Sequence, residues 1–396
     1  MSSTEIGSLI KEKRLRINMT PKEMSDAVGL PKYGDKCIRD WEKGEAKPSS
    51  IVLKRILNYP ETIPYPNIEK AKYNMIDLFA GIGGTRLGFV LTNKVKVVFT
   101  SEINKYSIKT YKANFGEDPK HPIFGDITEL SDKISIKKNI PNHDILVGGF
   151  PCQPFSLAGL KKGFDDIRGT LFFNIAQIIK IKKPKAILLE NVKNLLNHDK
   201  GNTYKVIYKT LTDLGYQVYE KVLAAKDFGV PQNRERIYIV CFDRKQVKNS
   251  DLFSYPTPQN RVVNLGAILE SESDLKRYDD KYTISDKLWE GHKRRKQANK
   301  LAGKGFGYGL FNENSPYTNT LSARYYRDGS EILIEQKGKN PRKITPREAA
   351  RLQGFPDNFL IPVSDTQAYK QFGNSVAVPV IHAIAQKIIE ILDQNT

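Results

Sequence analysis

From residue 75 onward, short apolar runs alternate with segments of helical period. The runs are Met75–Phe79, Val95–Thr100, Ile145–Val147, Ala186–Leu189 and Ile237–Phe242. Short strands that alternate with helices are typical of an open, doubly wound α/β sheet. In such sheets ligands bind beyond the carboxyl ends of the strands. We therefore predict an α/β fold and look for its chemistry in the loops that follow the strands.

The remaining segments predict further domains. Three prolines in Tyr59–Pro66 indicate a linker. The periodicity weakens after 245, where glycines and the basic cluster Lys293–Lys296 appear, and helical pattern returns at Thr345–Leu352 and from Val378. We predict a small all-α domain at 1–60, a linker at 61–72, the main domain at 73–245, a smaller inserted domain at 246–335, and a return to the main domain at 336–396.

The first 60 residues have the pattern of a helix-turn-helix module. Thr20-Pro-Lys-Glu23 forms a capping box with proline at the first helical position. The module resembles the small bacterial repressor type, with Trp41-Glu-Lys-Gly44 as a shared ending, although its turn Gly29–Gly34 is longer than usual. Lys36 and Arg39 on the second helix are the candidate DNA contacts. A helical packing or dimerisation module is the alternative.

The formal net charge of +19 attracts polyanions, of which nucleic acid is the commonest, although charge alone does not identify a partner. The sequence has neither a signal peptide nor an apolar run of transmembrane length, so we predict a soluble, cytoplasmic protein without a membrane partner. Three cysteines and five scattered histidines support neither disulfides nor a metal site.

Cys152 stands out because Pro151 and Pro154 fix the backbone on either side of it, directly after an apolar run. Such a loop presents its sulfur, so we predict that Cys152 is a nucleophile rather than a small buried side chain. Cys37 and Cys241 lie in ordinary periodic segments and are predicted to be buried.

Phe79-Ala-Gly-Ile-Gly-Gly84 follows the first strand and opens the first helix. This loop predicts a cofactor site, although tight packing of a strand on a helix is an alternative. Glu102, about 20 residues further on, can accept both ribose hydroxyls. Asp126 can accept from an adenine amino group. These residues suit S-adenosylmethionine, which has no pyrophosphate.

Glu190 follows the run Ala186–Leu189, and Arg234 and Arg236 precede the next run. Cytosine becomes nucleophilic at carbon 5 when a thiolate adds to carbon 6. A partly buried glutamate can share a proton with ring nitrogen 3, and arginines can donate to oxygen 2. A structural ion pair is the alternative for these three residues.

These motifs closely resemble those of the bacterial DNA cytosine-5 methyltransferases. They occur in the family's order, as Asp77–Gly84, Pro151–Gln153, Glu190–Val192, Gln232–Arg236, Arg347–Pro356 and Gln371–Val376. The resemblance implies that Cys152 is the nucleophile, that Glu190 lies at the ring nitrogen and that Arg236 lies near oxygen 2. It implies S-adenosylmethionine as cofactor, S-adenosylhomocysteine as product, and cofactor contacts at Phe79, Gly81, Gly83, Glu102, Ile103, Asp126, Ile127, Pro151, Leu171 and Asn374.

In this family the target cytosine is flipped out of the duplex. Residues 246–335 resemble the family's target-recognition domain, with candidate DNA contacts at Thr320, Leu321, Arg324, Tyr325 and Arg327, any of which can instead contact phosphate. The segments Gly305–Gly309, Thr320–Gly329 and Val363–Tyr369 resemble the Dcm-like subgroup, which implies a CCWGG or CCNGG site.

The leading hypothesis is a DNA methyltransferase of a restriction-modification system that is associated with the nucleoid and binds double-stranded DNA as a monomer. A second, compatible hypothesis is a regulator that binds its own promoter. In that role, a dimer on the operator is an open alternative to the monomer. An RNA cytosine methyltransferase of the same fold is disfavoured by the long recognition insert.

Overall fold

The computed structural model describes residues 1–396 except 18, 31–32, 117, 119–121, 131, 152–169, 259–262, 277, 306 and 396, and for residue 26 the backbone only. The described helices are α1 Ser3–Arg16, α2 Pro21–Ala27, α3 Gly34–Glu42, α4 Ser50–Leu57, α5 Gly84–Val90, α6 Lys105–Phe115, α7 Lys133–Asn139, α8 Leu171–Lys182, α9 Asn202–Asp213, α10 Glu272–Lys276, α11 Asp286–Leu301, α12 Pro346–Leu352, α13 Asp365–Asn374 and α14 Val378–Gln394. The described strands are β1 Tyr73–Leu78, β2 Val95–Ser101, β3 Ile145–Gly149, β4 Ala186–Val192, β5 Tyr216–Ala224, β6 Glu235–Asp243, β7 Leu310–Phe311, β8 Leu333–Ile334 and β9 Arg342–Lys343.

The chain divides into two compact units. Unit 1 comprises Met1–Pro66, Lys109–Gly116 and Leu265–Asn374, and unit 2 comprises Asn67–Ile108, Glu117–Asn264 and Ser375–Thr396. The predicted C-terminal block 336–396 is thus divided after residue 374, and only its last part joins the unit that holds the large sheet.

Unit 2 contains a sheet of strand order β2-β1-β3-β4-β6-β5. Neighbours among β2, β1, β3 and β4 run parallel, whereas β6 is antiparallel to both β4 and β5. The five predicted runs fall in β1, β2, β3, β4 and β6, so the α/β class is confirmed. β5 was not predicted, because polar residues such as Gln217 and Glu220 interrupt its apolar pattern.

Apolar cores cover both faces of this sheet, as the doubly wound class requires. Phe89 of α5 and Ile381 of α14 pack in one core, and Ile175 of α8 packs in the other. Gly88 lets α5 approach α14, since a Cβ there would lie 2.5 Å from Ile381 Cγ2. Among the described residues, one stretch, Asp365–Gln394, has the length and hydropathy of a membrane span. It consists of α13 and α14, and 61% of its most apolar window is buried, as in a core helix.

In unit 1, the helices α1 to α4 enclose a small core that includes Ile10 and Ile38. The predicted capping box is confirmed, because the Thr20 N–H donates to Glu23 Oε2 (2.7 Å) and the Glu23 N–H donates to Thr20 Oγ1 (3.2 Å). The prediction for Cys37 is wrong. Its side chain is exposed, since it lies one position away from the inward-facing Ile38, whereas Cys241 is buried as predicted.

The later part of unit 1 is organised around a buried ion pair. Arg342 of β9 donates to both carboxylate oxygens of Glu348 on α12, at 2.7 and 2.8 Å, and these side chains are 5% and 0% exposed. Thr345 caps α12 in a capping box with Glu348, and the Glu270 N–H donates to the same carboxylate. These bonds satisfy a carboxylate that burial alone would destabilise.

Candidate active site

An ion pair lies where β4 and β6 meet. β4 extends beyond its predicted end to Val192, so Glu190 lies within the strand, opposite Tyr238, while Arg236 lies opposite Val192. Because alternate residues share a face of a sheet, Glu190 and Arg236 point to the same side. Arg236 Nε lies 3.2 Å from Glu190 Oε1, and the two side chains are 16% and 15% exposed. The predicted meeting of these residues is found.

Burial governs the electrostatics of this pair. It raises the pKa of Glu190, and the nearby charges of Arg236 and Arg234 oppose the rise only in part. Burial also lowers the pKa of Arg234 to about 9. Arg234 Nη2 donates to the Ser375 carbonyl at 2.5 Å, which orients its guanidinium. The raised pKa favours the protonated form of this carboxyl group more than in an exposed glutamate.

The strand β3 ends beside this carboxylate. Gly149 pairs in register with Glu190, and a Cβ on Gly149 would lie 3.3 Å from Glu190 Oε2. Asn191 Nδ2 donates to the Phe150 carbonyl at 2.8 Å and fixes the start of the loop that follows. Pro151 is exposed at this point. Cys152, the predicted nucleophile, lies outside the described residues.

The predicted cofactor loop has an unusual backbone. Phe79, Gly81 and Gly83 have φ of 55°, 56° and 85°, in the left-handed region. The Gly81 N–H donates to Glu102 Oε2 at 2.7 Å, which ties the loop to the end of β2. A Cβ on Gly81 would meet no atom within 4 Å, so the loop borders open space. A flat ligand can approach the backbone there.

The side chains near this loop fit an adenosine. Glu102 also accepts from the Asn104 N–H (2.7 Å), but a carboxylate has about four acceptor positions, so it can still accept from ribose hydroxyls. Ile103 is 71% exposed, which leaves an apolar surface for a base. Asp126 uses Oδ1 for its bonds from the Thr128 N–H (2.9 Å) and hydroxyl (2.7 Å), and these bonds lower its pKa.

The remaining predicted cofactor residues differ in exposure. Ile127 is 3% exposed and packs in the core, so Asp126 is the accessible group of that pair. Leu171 is half-buried at the start of α8. Asn374 is exposed at the end of α13 and belongs to unit 1.

Asp77 was not among the predicted site residues. It lies near the end of β1, is 1% exposed, and its Oδ2 has no hydrogen-bond partner among the described residues. Burial raises its pKa to about 7, although the charge of Arg86 opposes the rise. An acidic residue inside an apolar run, Met75-Ile76-Asp77-Leu78, was the available sequence signal.

In unit 1, the predicted base-reading residues divide by exposure. Arg324 and Arg327 are exposed and Thr320 is half-buried, but Leu321 and Tyr325 are 0% exposed. The Tyr325 hydroxyl donates to the Ile332 carbonyl (2.6 Å) and accepts from the Ile344 N–H (2.8 Å). The prediction that Leu321 and Tyr325 contact DNA is therefore wrong, because both side chains belong to the core.

The neighbouring Tyr326 was missed. Its half-buried ring has Lys370 Nζ at 4.8 Å and the Arg327 guanidinium at 6.0 Å from the ring centroid. An aromatic ring with two cations beside it can contact nucleic acid. In the N-terminal module, the predicted contacts Lys36 and Arg39 are both exposed on α3, where Arg39 pairs with Asp35 at 2.6 Å.

Residues 73–390 match the family model described as "C-5 cytosine-specific DNA methylase". The chain is 66% identical to the Type II methyltransferase M1.ScrFI of Lactococcus lactis subsp. cremoris, across 100% of this chain and 98% of that protein. It is 66% identical to the Type II methyltransferase M.SsoII of Shigella sonnei, across 98% of this chain and 99% of that protein. Among solved structures, the S. pombe Dnmt2 methyltransferase shares the fold, with a TM-score of 0.63 at 21% identity over 81% of this chain and 99% of that chain.

We predict that Asp77→Asn reduces the dependence of the free energy of unfolding on pH. Because the pKa of Asp77 is raised from 3.8 to about 7, its stabilising protonated form is lost as pH rises through that range. A shift of about three pKa units corresponds to about 4 kcal/mol. The variant should therefore gain stability relative to the wild type as the pH of urea unfolding is raised from roughly 4 to roughly 7, the range between the two pKa values.

Asp126→Asn is the matched control for Asp77→Asn. The pKa of Asp126 is lowered, so its contribution is present at neutral pH and is lost as pH falls. This variant should lose stability at neutral pH. Parallel curves for Asp77→Asn and the wild type would contradict the prediction.

Proposed function

This chain belongs to the C-5 cytosine-specific DNA methylase family, and on that basis we propose a role for each of its site residues in methylation. The protein is a Type II DNA-cytosine methyltransferase of the restriction-modification kind, and S-adenosylmethionine is its cofactor. One observation carries the assignment of roles. The pair Glu190–Arg236 lies beside Gly149, three residues before Cys152.

In this proposal the Cys152 thiolate forms a bond to cytosine carbon 6. Glu190 shares its proton with ring nitrogen 3, and Arg236 donates to oxygen 2, so both stabilise the charge that develops on the ring. The electron pair then reaches carbon 5, which accepts the methyl group. Loss of the carbon 5 proton to a base and cleavage of the carbon–sulfur bond restore the aromatic ring and free the thiolate.

S-adenosylmethionine supplies a methyl group on a sulfonium and leaves as S-adenosylhomocysteine. Glu102 would hold the ribose, Ile103 would cover the adenine ring, and Asp126 would accept from the adenine amino group. The open space at Gly81 supports this placement. Phe79, Gly83, Ile127, Pro151 and Leu171 are proposed to complete the site, and the cofactor contact at Asn374 stays a prediction from the sequence.

The target base must leave the duplex to reach Glu190. We propose that the loop at 322–329 contacts the bases, with the exposed Arg324 and Arg327 and with Tyr326 in place of the buried Tyr325. Thr320 remains a candidate contact. The sequence resemblance to the Dcm-like subgroup supports a CCWGG or CCNGG site. A 41% identical relative is the DNA-cytosine methyltransferase of Escherichia coli K12.

A second function is proposed for helices α1 to α4. Their capped α2, the following α3 and the exposed Lys36 and Arg39 support a helix-turn-helix that binds an operator and regulates expression of the gene. The Type II methyltransferase M.NlaX of Neisseria lactamica matches 80% of this chain and 96% of its own length. We propose that the protein acts in the cytoplasm on nucleoid DNA. It would act as a monomer in catalysis, and a dimer on the operator is the regulatory form to test.

Cys152→Ala is expected to abolish methyl transfer to duplex DNA while DNA and cofactor binding persist, because only the covalent step is lost. Wild-type protein should become covalently attached at residue 152 to a duplex that carries 5-fluorocytosine. Cys37→Ala, at an exposed cysteine of α3, should retain full activity. Turnover by the Cys152 variant, or a trap at another residue, would refute the mechanism.

Bisulfite sequencing of DNA from cells that express the protein should show 5-methylcytosine at the inner cytosine of CCWGG or CCNGG. The flanking bases distinguish these two sites. Methylation confined to another sequence would refute the proposed target site but would not contradict the proposed reaction mechanism.

The double variant Lys36→Ala/Arg39→Ala should lose its footprint upstream of the gene while the methylation rate remains unchanged. These side chains lie on the exposed face of α3, so the fold should persist. Lys11→Ala/Lys54→Ala removes the same charge from exposed positions of α1 and α4 and should retain the footprint. A footprint that persists in the first variant and maps to methylation sites would exclude the regulatory role.

A further inference from the structure

The helix α11 carries a basic surface that the proposed function does not use. Its 16 residues include only one buried side chain, His292. Six of them are basic and two are acidic, and the basic residues are Lys287, Lys293, Arg294, Arg295, Lys296 and Lys300. A helix that buries so little gains little stability from packing, so its charged surface calls for another explanation.

Specific contacts fix the inner face of α11. His292 Nε2 lies 3.2 Å from the Asp328 carbonyl, and Arg295 pairs with the Asp328 carboxylate at 3.0 Å. Arg295 Nη2 also lies 2.9 Å from His292 Nδ1. A Cβ on Gly307 would lie 2.4 Å from the Lys296 Cβ, so only glycine permits this close approach. The contacts determine which face of the helix is turned outward.

The side of α11 that is turned away from Asp328 presents four cations in two stripes. Because each residue of a helix turns it by about 100°, Lys287 and Arg294 form one stripe opposite His292, and Lys293 and Lys300 form a second stripe on one flank of the helix. All four side chains are exposed. Of these four residues, Lys293 alone has an ion pair within the described part of the chain. Its partner is Glu290 at 2.5 Å, and both side chains are solvent-exposed. Such a pair is weak in water and easily exchanged for another anion.

The length of helix that these four cations span suits a polyanion. Lys287 and Lys300 are 13 positions apart, which corresponds to about 20 Å along the helix. Neighbouring cations repel one another until a polyanion neutralises them, and duplex DNA carries one negative charge per roughly 1.7 Å of its axis. Asp328 directly follows Arg327, so the ion pair that anchors α11 also holds the loop 322–329.

We propose that Lys287, Lys293, Arg294 and Lys300 of α11 contact the phosphate backbone of the substrate duplex. The inference rests on the proposed role of the loop 322–329 in reading bases. Contacts to phosphate set the position of a protein on DNA and carry no sequence information. α11 thus supplies affinity and register, while the loop supplies specificity.

The test is the double variant Arg294→Gln/Lys300→Gln, which removes two exposed charges. Binding to a duplex with one methylation site and no operator is measured by fluorescence anisotropy between about 50 and 200 mM salt. The slope of log K against log salt should become less steep by about 1.8, since each lost phosphate contact accounts for about 0.9. The ratio of target to non-target binding should not change, because contacts to phosphate carry no sequence information.

Lys137→Gln/Lys138→Gln is the matched control. These exposed lysines end α7, just before β3 begins, and so lie near the sheet edge opposite the site. The control should keep the wild-type slope. An unchanged slope in the α11 variant, an equal change in the control, or a loss of discrimination between sequences would each overturn the proposal. The proposal would also be overturned if the α11 variant changed binding to RNA or to anionic vesicles but left binding to DNA unchanged.

The same duplex is methylated by wild-type protein in parallel. If methylation by the wild type is intact and the slope of the α11 variant is unchanged, only the inference about α11 is refuted. Absent methylation by the wild type would instead refute the proposed function.

Discussion

The antiparallel pairing of β6 with β4 is the constraint on which the active site depends. In a wholly parallel sheet, the start of β6 would lie at the edge opposite the end of β4, and Arg236 could not reach Glu190. Because β6 is reversed, its first residues and the last residues of β4 share one edge. Gly149 ends β3 at the same edge, so three separate chain segments converge there. The covalent chemistry requires this convergence.

The Glu190–Arg236 pair also illustrates the energetics of such a site. Removing two charges from water costs more than a single ion pair regains unless further bonds help, so this pair contributes little to stability. The pKa of Glu190 nevertheless stays raised, because burial outweighs the arginine charges that lower it. The cofactor loop makes a similar compromise. Phe79 adopts a left-handed φ, which costs about 1 to 3 kcal/mol, and the bond from Gly81 to Glu102 helps to hold the loop in place.

Patterns in the sequence predicted whatever depends on local periodicity. Five strands, the α2 capping box and the loop that begins at Phe79 followed from the order of apolar, polar and glycine residues. β5 did not, because a half-exposed edge strand has a mixed pattern. The sequence placed Arg236 near Glu190 without the strand direction that brings them together. It also chose Tyr325 over Tyr326, since two adjacent tyrosines look alike until the fold decides which of them is buried.

The excess of positive charge is most informative where the structure shows on which surface the charges lie. A net charge of +19 raises the affinity for any polyanion but cannot by itself select a sequence. Selection requires side chains at base edges, held at a defined distance from the backbone they follow. Asp328 provides that link in unit 1, because its carbonyl and its carboxylate both contact α11 while its neighbour Arg327 points to solvent. On this argument, contact with phosphate and the reading of bases belong to two adjoining surfaces that Asp328 holds together, so α11 sets the position of the loop on the duplex while the loop itself supplies the specificity.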